Sequence, residues 1–363
     1  MKLTVTQENL SRALSTVSRV ASTRGSLPIL SNVLLKTDNN RLLIAATNLD
    51  IAVSETIGAK ITQKGSITVP ARLMQDFVSS LPSGNLELDV VDNKLKLTAE
   101  RFDSTINGVS AEDFPVMPTI EGGQEIEFES KEIKQTLQQV LFSASADEAR
   151  PVLTGVFFSA EKNKLFIAST DSYRLAEKCL KKEMKDTTLL VPAQSLQELL
   201  RALKDDSEKV VVTFDDQQAR FKVSGIEIVT RLVDGKYPDY KKLLPKSYET
   251  TAVLSRQSLN EITKVSSLFA REAAGSITLN IDESKSEINI SSIASQVGEN
   301  TASAEAEVTG SAVITMNSRY ILDALQAFEG PTIQINVNGK LDPCVLTDPG
   351  DPSYLHVIMP VKS

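Results

Sequence analysis

Few side chains in this 363-residue sequence could carry a reaction. His356 is the single histidine, and a histidine zinc site or a Ser-His-Asp hydrolase needs imidazole placed beside other groups. Cys179 and Cys344 are the only cysteines, so neither a disulfide framework nor a cysteine metal site is indicated, which fits a reducing cytosol. No Gly-x-Gly-x-x-Gly or Gly-x-x-x-x-Gly-Lys-Ser/Thr loop is present to cradle phosphates. Asp171, Asp234 and Asp239 are the remaining candidates, as carboxylates of a metal-dependent hydrolase. They lie in turn-like sequence, and the first third of the chain offers only Asp50 and Asp113 as counterparts. No metal, cofactor or catalytic role is expected. Binding is.

Cations are the second kind of chemistry on offer, and their placement is uneven. The periodicity predicts helices over 7–20, 70–81, 130–145, 192–204, 255–269 and 317–328. The first two carry Arg12, Arg19 and Arg72; the middle two carry Lys131, Lys134, Arg201 and Lys204; the last two carry Arg256, Lys264 and Arg319. Against these ten stand six acidic residues, so the helices sum to +4 and leave −12 for the rest of a chain of net charge −8. Positive helices within an acidic protein suggest one shared surface facing an anionic partner.

The elements that hold these residues form an internal repeat. Asp92-Asn93, Asp215-Asp216 and Asn338-Gly339 each follow an alternating apolar segment, the signal of a hairpin turn with positive φ, and they are spaced by 123 and 123 residues. Pro28-Ile29-Leu30 recurs as Pro151-Val152-Leu153, and Val69-Pro70-Ala71 as Val191-Pro192-Ala193. Phe114-Pro115, Tyr237-Pro238 and Met359-Pro360 hold nearly the same register. A period this long means that each copy is a complete domain rather than a solenoid unit.

The boundaries fall in turn-rich sequence and give domains 1–121, 122–247 and 248–363. Each copy reads strand, helix, several strands, helix, several strands, an α+β domain with antiparallel sheets. The first helices present stripes of Leu10, Leu14 and Val17, then Ile133, Leu137 and Val140, then Leu259, Ile262 and Val265. The second helices start at Pro70, Pro192 and about Asn317, since proline suits a first helical turn.

Equivalent helix faces point the same way if the domains are arranged symmetrically. Two chains joined head to tail through a twofold would set twelve helices in a pseudo-sixfold ring. At about 10 Å per packed helix the circumference is ~120 Å and the centre-line diameter ~38 Å. Removing one helix diameter of ~10 Å leaves a hole of roughly 28 Å, wide enough for a B-form duplex. Retention would be topological, and only weak, salt-sensitive phosphate contacts would be needed. A tandem-domain adaptor that binds peptides without enclosing DNA is the alternative reading of the same repeat.

Several segments then carry a resemblance. Leu27-Pro28-Ile29-Leu30-Ser31-Asn32, Thr68-Val69-Pro70-Ala71-Arg72, Ala111-Glu112-Asp113-Phe114-Pro115 and Thr170-Asp171-Ser172-Tyr173-Arg174-Leu175-Ala176 are four of them. The most specific is Arg231-Leu232-Val233-Asp234-Gly235-Lys236-Tyr237-Pro238-Asp239-Tyr240, and Val357-Ile358-Met359-Pro360-Val361 completes the set. Along its whole length the chain resembles the bacterial sliding clamps, the beta subunits of DNA polymerase III holoenzyme.

The resemblance implies a homodimeric ring with helices inside and sheets outside, in the cytoplasm and with no membrane segment. Its partners would be duplex DNA of any sequence, the polymerase III core and other polymerases, the clamp loader complex, and mismatch-repair and other clamp-motif proteins. It further implies a peptide groove between the second and third domains. One pocket would use Leu153, Thr170, Tyr173, Arg174 and Leu175, closed by Pro238, Leu243, Val357, Ile358 and Met359. An adjoining subsite would use Asn317, Tyr320, Met359, Pro360 and Val361. Apolar walls would take a Leu or Phe anchor while polar groups fix the peptide backbone. Arg24 aligns with a DNA-touching arginine of the family and joins Arg12, Arg72, Lys131, Lys134, Arg201, Lys204 and Lys264 as the expected DNA contacts. Ile106 and Leu268 are the expected dimer contacts. Pro151 and Val152 stand where some relatives carry two tyrosines, and Ser172 where the family often has Gly.

Overall fold

The computed structural model describes residues 1–21, 27–120, 122–204, 209–294 and 298–361. One order runs through the chain three times: strand, helix, a group of strands, helix, three strands. The helices are α1 (Gln7–Val17), α2 (Ala71–Ser80), α3 (Ser130–Val140), α4 (Ala193–Ala202), α5 (Arg256–Phe269) and α6 (Ser318–Ala327). Local chemistry sets where they begin. Thr6, Ser255 and Asn317 cap α1, α5 and α6, their side-chain oxygens accepting from the N–H groups of Asn9, Ser258 and Arg319 at 3.4, 3.3 and 2.9 Å. Pro70 does not enter the first turn of α2. It stays extended at ψ 117° as the cap residue and closes a strand by pairing with Asn32.

The helices are shorter than the periodicity predicted, so Arg19 and Lys204 lie beyond their ends. Eight basic and six acidic residues remain within them, an excess of +2 rather than +4. Leu10, Leu14 and Val17 of α1 and Ile133, Leu137 and Val140 of α3 are buried as expected. The stripe in α5 differs. Its buried residues are Leu259, Thr263 and Ser266, which hold the positions of Ile133, Leu137 and Val140, and Ser266 donates to Asn300 Oδ1 at 2.9 Å. Val265 and Leu268 are left 46% and 55% exposed. The face that points inward is fixed by the repeat, and in the third copy it is not the most apolar one.

The three hairpins also differ. Asp92 and Asn93 have φ of 49° and 57°, the left-handed pair expected of a tight turn. Asp215 instead heads a three-residue loop, its Oδ1 accepting from the N–H groups of Gln217 and Gln218 at 2.8 and 2.7 Å. Asn338-Gly339 opens a six-residue loop between the strands Thr332–Val337 and Cys344–Asp348. The longer loop shifts the end of the third copy. Ile358 pairs with Arg174 as Thr230 pairs with Ile51, an offset of 128 residues. Met359-Pro360 therefore corresponds to Arg231-Leu232, and its match in spacing to Tyr237-Pro238 is a coincidence.

Contacts group the chain into two compact units, Met1–Lys134 with Gln194–Leu232 and Gln135–Ala193 with Val233–Ser363. In the first, Lys2–Thr6 joins Asn85–Val91, Lys94–Ala99 and Phe102–Asn107 in a five-stranded sheet edged by Lys60–Gln63. The remaining first-copy strands end in Ile51–Gly58, which pairs antiparallel with Ile226–Arg231 of the second copy and so builds an eight-stranded sheet. The second unit repeats the device. Arg174–Lys181 of the second copy pairs with Asp351–Ile358 of the third, giving a nine-stranded sheet. A four-stranded sheet, Gly298–Glu305, Glu287–Ala294, Ser276–Asp282 and Ala312–Asn317, completes that unit. Each copy thus contributes two half-sheets, and neighbouring copies are joined by their end strands.

Candidate functional site

The seam between Arg174–Lys181 and Asp351–Ile358 gathers most of the expected groove residues. Its upper end is a tight loop, Thr170–Arg174. Thr170 Oγ1 donates to the Arg174 carbonyl at 2.6 Å and accepts from the Ser172 N–H at 3.1 Å. Asp171 Oδ1 accepts from the N–H groups of Tyr173 and Arg174 at 2.9 and 3.0 Å. Two short polar side chains thereby satisfy the loop's own backbone and hold Ser172 at φ 79°, which explains why glycine also suits this position. The loop lifts Tyr173 into solvent, 63% exposed.

Arg174 is held from both copies. Its Nε is 3.0 Å from Asp171 Oδ2 and one terminal nitrogen is 2.6 Å from Asp323 Oδ2 on α6. The guanidinium carbon lies 4.8 Å from the Tyr320 ring centroid and 5.4 Å from that of Phe142. Behind it opens a cleft of about 580 Å³ shared by Gln138, Gln139, Phe142, Arg319, Asp323 and Glu329.

Beneath the loop is an apolar floor. Leu153, Leu175 and Val357 pack with Ala168, Tyr237 and Tyr240, and each of the three aliphatics is 4% exposed. Val152 packs against the same cluster, so an aliphatic at that position serves the floor. Ile358, next to Val357 on the strand, is fully buried and faces the other side of the sheet, outside the cluster. Pro238 and Leu243 flank the cluster's Tyr240 in sequence and are exposed, Leu243 55% so at the end of the 3-10 turn Tyr240–Leu243, and Leu244 after it packs on the cluster. The chain beyond the strand is tied down on both sides: the Met359 N–H donates to the Tyr173 carbonyl and the Val361 N–H to the Thr315 carbonyl, both at 2.8 Å. Pro360 lies between these two anchors. Asn317 is the α6 cap and also donates to the Ala274 carbonyl at 3.2 Å. The seam thus brings together a buried apolar cluster, the exposed side chain of Tyr173 and a tied-down chain end.

Sequence reasoning missed several members. Tyr237 stacks on Phe157 at 4.8 Å and meets Tyr240 edge-on at 6.4 Å. The Tyr240 hydroxyl donates to Glu177, a buried carboxylate whose pKa burial pushes up. His356 is fully buried against Phe142, its ring nitrogens are without hydrogen-bond partners among the described residues, and burial lowers its pKa to about 3. The aromatic density of Tyr-Pro-Asp-Tyr was the available signal for the first group. The second had none, because a lone histidine in a strand looks like any other.

The supposed hydrolase carboxylates have other employment. Asp171 caps its loop and holds Arg174, Asp239 pairs with Lys242 at 3.0 Å, and Asp234 is exposed beside Gly235 at φ 124°. No group of three or more His, Cys, Asp or Glu residues among the described positions is arranged to hold a metal.

The expected DNA contacts are scattered over helices. Arg72 is 90% exposed, 3.9 Å from Asp76; Arg12 pairs with buried Glu55 at 3.3 Å; Arg201 pairs with Glu198. Lys131 and Lys264 are exposed, Lys134 is half-buried, and Lys204 is exposed past the end of α4. Arg24 lies outside the described residues. Of the two expected dimer contacts, Ile106 is 5% exposed and Leu268 55%. No helix among the described residues is long and apolar enough to cross a membrane.

Comparison with known proteins gives these features a context. Residues 1–118, 127–239 and 241–362 match the N-terminal, central and C-terminal domains of the DNA polymerase III beta subunit. The chain is 31% identical over 388 residues to the beta sliding clamp of Synechocystis sp., covering 100% of this chain and 99% of the relative. It is 28% identical to that of Bacillus subtilis, with 100% of both covered. The crystal structure of the DNA polymerase sliding clamp from Bacillus subtilis superposes with a TM-score of 0.96 at 28% identity, covering 100% of this chain and 99% of that one. The beta subunit structure from Thermotoga maritima gives 0.93 at 26% identity, with the same coverage.

Repeated α+β domains joined edge to edge therefore define a three-domain clamp fold. The chain belongs to the DNA polymerase III beta subunit family, the beta sliding clamps.

Proposed function

We propose that two copies of this chain close head to tail around duplex DNA and tether client proteins through the groove at the Arg174–Lys181 seam. The observation that carries the ring is the pattern of strand edges. Ile51–Gly58 takes Ile226–Arg231, and Arg174–Lys181 takes Asp351–Ile358. Among the described residues two equivalent edges remain open: Phe102–Asn107, which corresponds to Ile226–Arg231, and Gly298–Glu305, which corresponds to Ile51–Gly58. A second copy satisfies both. If the internal register is repeated between chains, Ile106 would lie opposite the partner subunit's Gly298 and Phe102 opposite the partner subunit's Ala302.

Side chains support the same seam. Gln139 and Phe142 of the second copy reach across to the third, where the Gln139 amide donates to the Ala327 carbonyl and Phe142 stacks on His356. Val265 and Leu268 hold the corresponding positions in the third copy and are 46% and 55% exposed. Covering them removes apolar surface from water at about 25 cal/mol per Å².

Domains 1–121, 122–247 and 248–363 then give six copies per ring. Duplex DNA in the hole would meet Arg12, Arg72, Arg201, Lys131, Lys134, Lys204, Lys264 and Arg24, with all of the first three already sharing charge with carboxylates. Such contacts are weak and suit sliding. The clients are the polymerase III core, other polymerases and mismatch-repair proteins, and loading falls to a separate ATP-driven loader complex. The role is tethering, with no reaction of its own.

The test is topological. Loaded on nicked circular DNA and then challenged by linearisation, the protein should leave cut DNA and remain on intact circles. Equal retention on both would falsify encirclement and leave the adaptor reading.

A further inference from the structure

We propose that Tyr240 and Glu177 form a latch that positions Leu243 as the outer wall of the groove, and that Lys241 braces it. The inference rests on the groove reading above. Leu243 is a large apolar side chain kept 55% exposed, a hydration cost that is relieved only when something covers it. It ends a single 3-10 turn, Tyr240–Leu243, too short to be stable alone.

Three contacts fix that turn to the sheet under the groove. The Tyr240 hydroxyl donates to Glu177 Oε2, a bond buried from water. Lys241 Nζ sits 3.1 Å from Glu161 Oε2 and 4.1 Å from the Phe166 ring centroid. Leu244 packs on the apolar cluster that contains Tyr240. Glu177 is two residues beyond Leu175 on the same strand and shares its face, so floor and latch are set by one strand.

A phenol donating to a buried carboxylate is a charge-assisted bond, and it also meets the carboxylate's need for a partner. Lys241 and Glu161 are both partly exposed, so their pair contributes less. Tyr240 and Glu177 are positioning residues: their polar atoms are engaged with each other, and they act through Leu243.

The test uses the full chain and a fluorescent Gln-Leu-x-Leu-Phe-like peptide, read by anisotropy. Tyr240→Phe keeps the ring but not the donor and should weaken binding about tenfold. Glu177→Gln keeps an acceptor and should lose less than Tyr240→Phe. In a Leu243→Ala background, Tyr240→Phe should add almost nothing, which a general loss of structure would not predict. Wild-type affinity in Tyr240→Phe, or an equal loss in both backgrounds, overturns the latch. If the unaltered protein fails to bind the peptide, the groove reading falls, and amide exchange across 238–246 decides the latch alone. Exchange about tenfold faster in Tyr240→Phe supports it; unchanged exchange overturns it.

Discussion

The loops Thr47–Ile51 and Thr170–Arg174 have the same backbone and different uses. Thr47 Oγ1 donates to the Ile51 carbonyl at 3.0 Å and accepts from the Leu49 N–H at 3.0 Å, as Thr170 does four residues from Arg174. Asn48 Oδ1 accepts from Asp50 and Ile51 as Asp171 Oδ1 accepts from Tyr173 and Arg174. Leu49 and Ser172 share φ 79°. After that the two part. Ile51 is 3% exposed, whereas Arg174 reaches to Asp323 in the neighbouring copy. Ala52 takes the place of Leu175, and Ile228 that of His356. Duplication supplied the turn and the strand register; a handful of side chains made one seam plain packing and gave the other an ion-paired arginine and a buried histidine.

The strongest break in that comparison is to remove what only the second seam has. Deleting residues 359–363 takes away the Met359 and Val361 anchors, and should abolish binding of a Gln-Leu-x-Leu-Phe-like peptide while solution mass still reports a dimer. Unchanged anisotropy would place the groove elsewhere.

A transplant sharpens it. Ile51→Arg puts a charge into the first seam without the carboxylate that Asp171 supplies, and should destabilise by more than about 3 kcal/mol in urea. Glu198 stands at the position of Asp323, so adding Asn48→Asp should recover about 1 kcal/mol or more. Additive effects would mean that the two seams are less alike than their backbones.

A further effect concerns His356, held neutral in the fold with a pKa of about 3 because burial disfavours its charged form. The unfolded chain takes up a proton below about 6.5, so stability should fall as the medium acidifies from there toward 3, at about 1.4 kcal/mol per pH unit. His356→Ile gives the second seam the first seam's residue and should remove about 2 kcal/mol of acid sensitivity between pH 7 and 5. Parallel urea midpoints for the two proteins at both pH values would assign the effect to other groups.

Much of this was legible because a repeat is a long-range signal. A single offset of about 123 residues located three domains and their element order without any one segment being decisive. Turn chemistry was less legible: Asp215 bonds its own loop and Asn338 bonds the Ser247 carbonyl, so neither makes the tight turn its neighbours suggest. The α5 stripe misled because Thr263 and Ser266 fill core positions by virtue of the repeat rather than their polarity. Most groove residues read as ordinary core, since Leu153, Leu175 and Val357 are core; only family resemblance singled them out. Arg174 could be seen in the sequence, but its partner Asp323 lies 149 residues away, and no local pattern links them.

Strand pairing across copy boundaries has a consequence for how the proposed ring comes apart. Seams inside a chain are tethered, so a strand that slips off faces its mate at high effective concentration and rebinds. The proposed seams between subunits would have the same register without the tether, and their re-formation would depend on how much protein is present. Dilution should therefore unfasten the proposed assembly at two joints out of six, leaving the strand pairings within each chain intact.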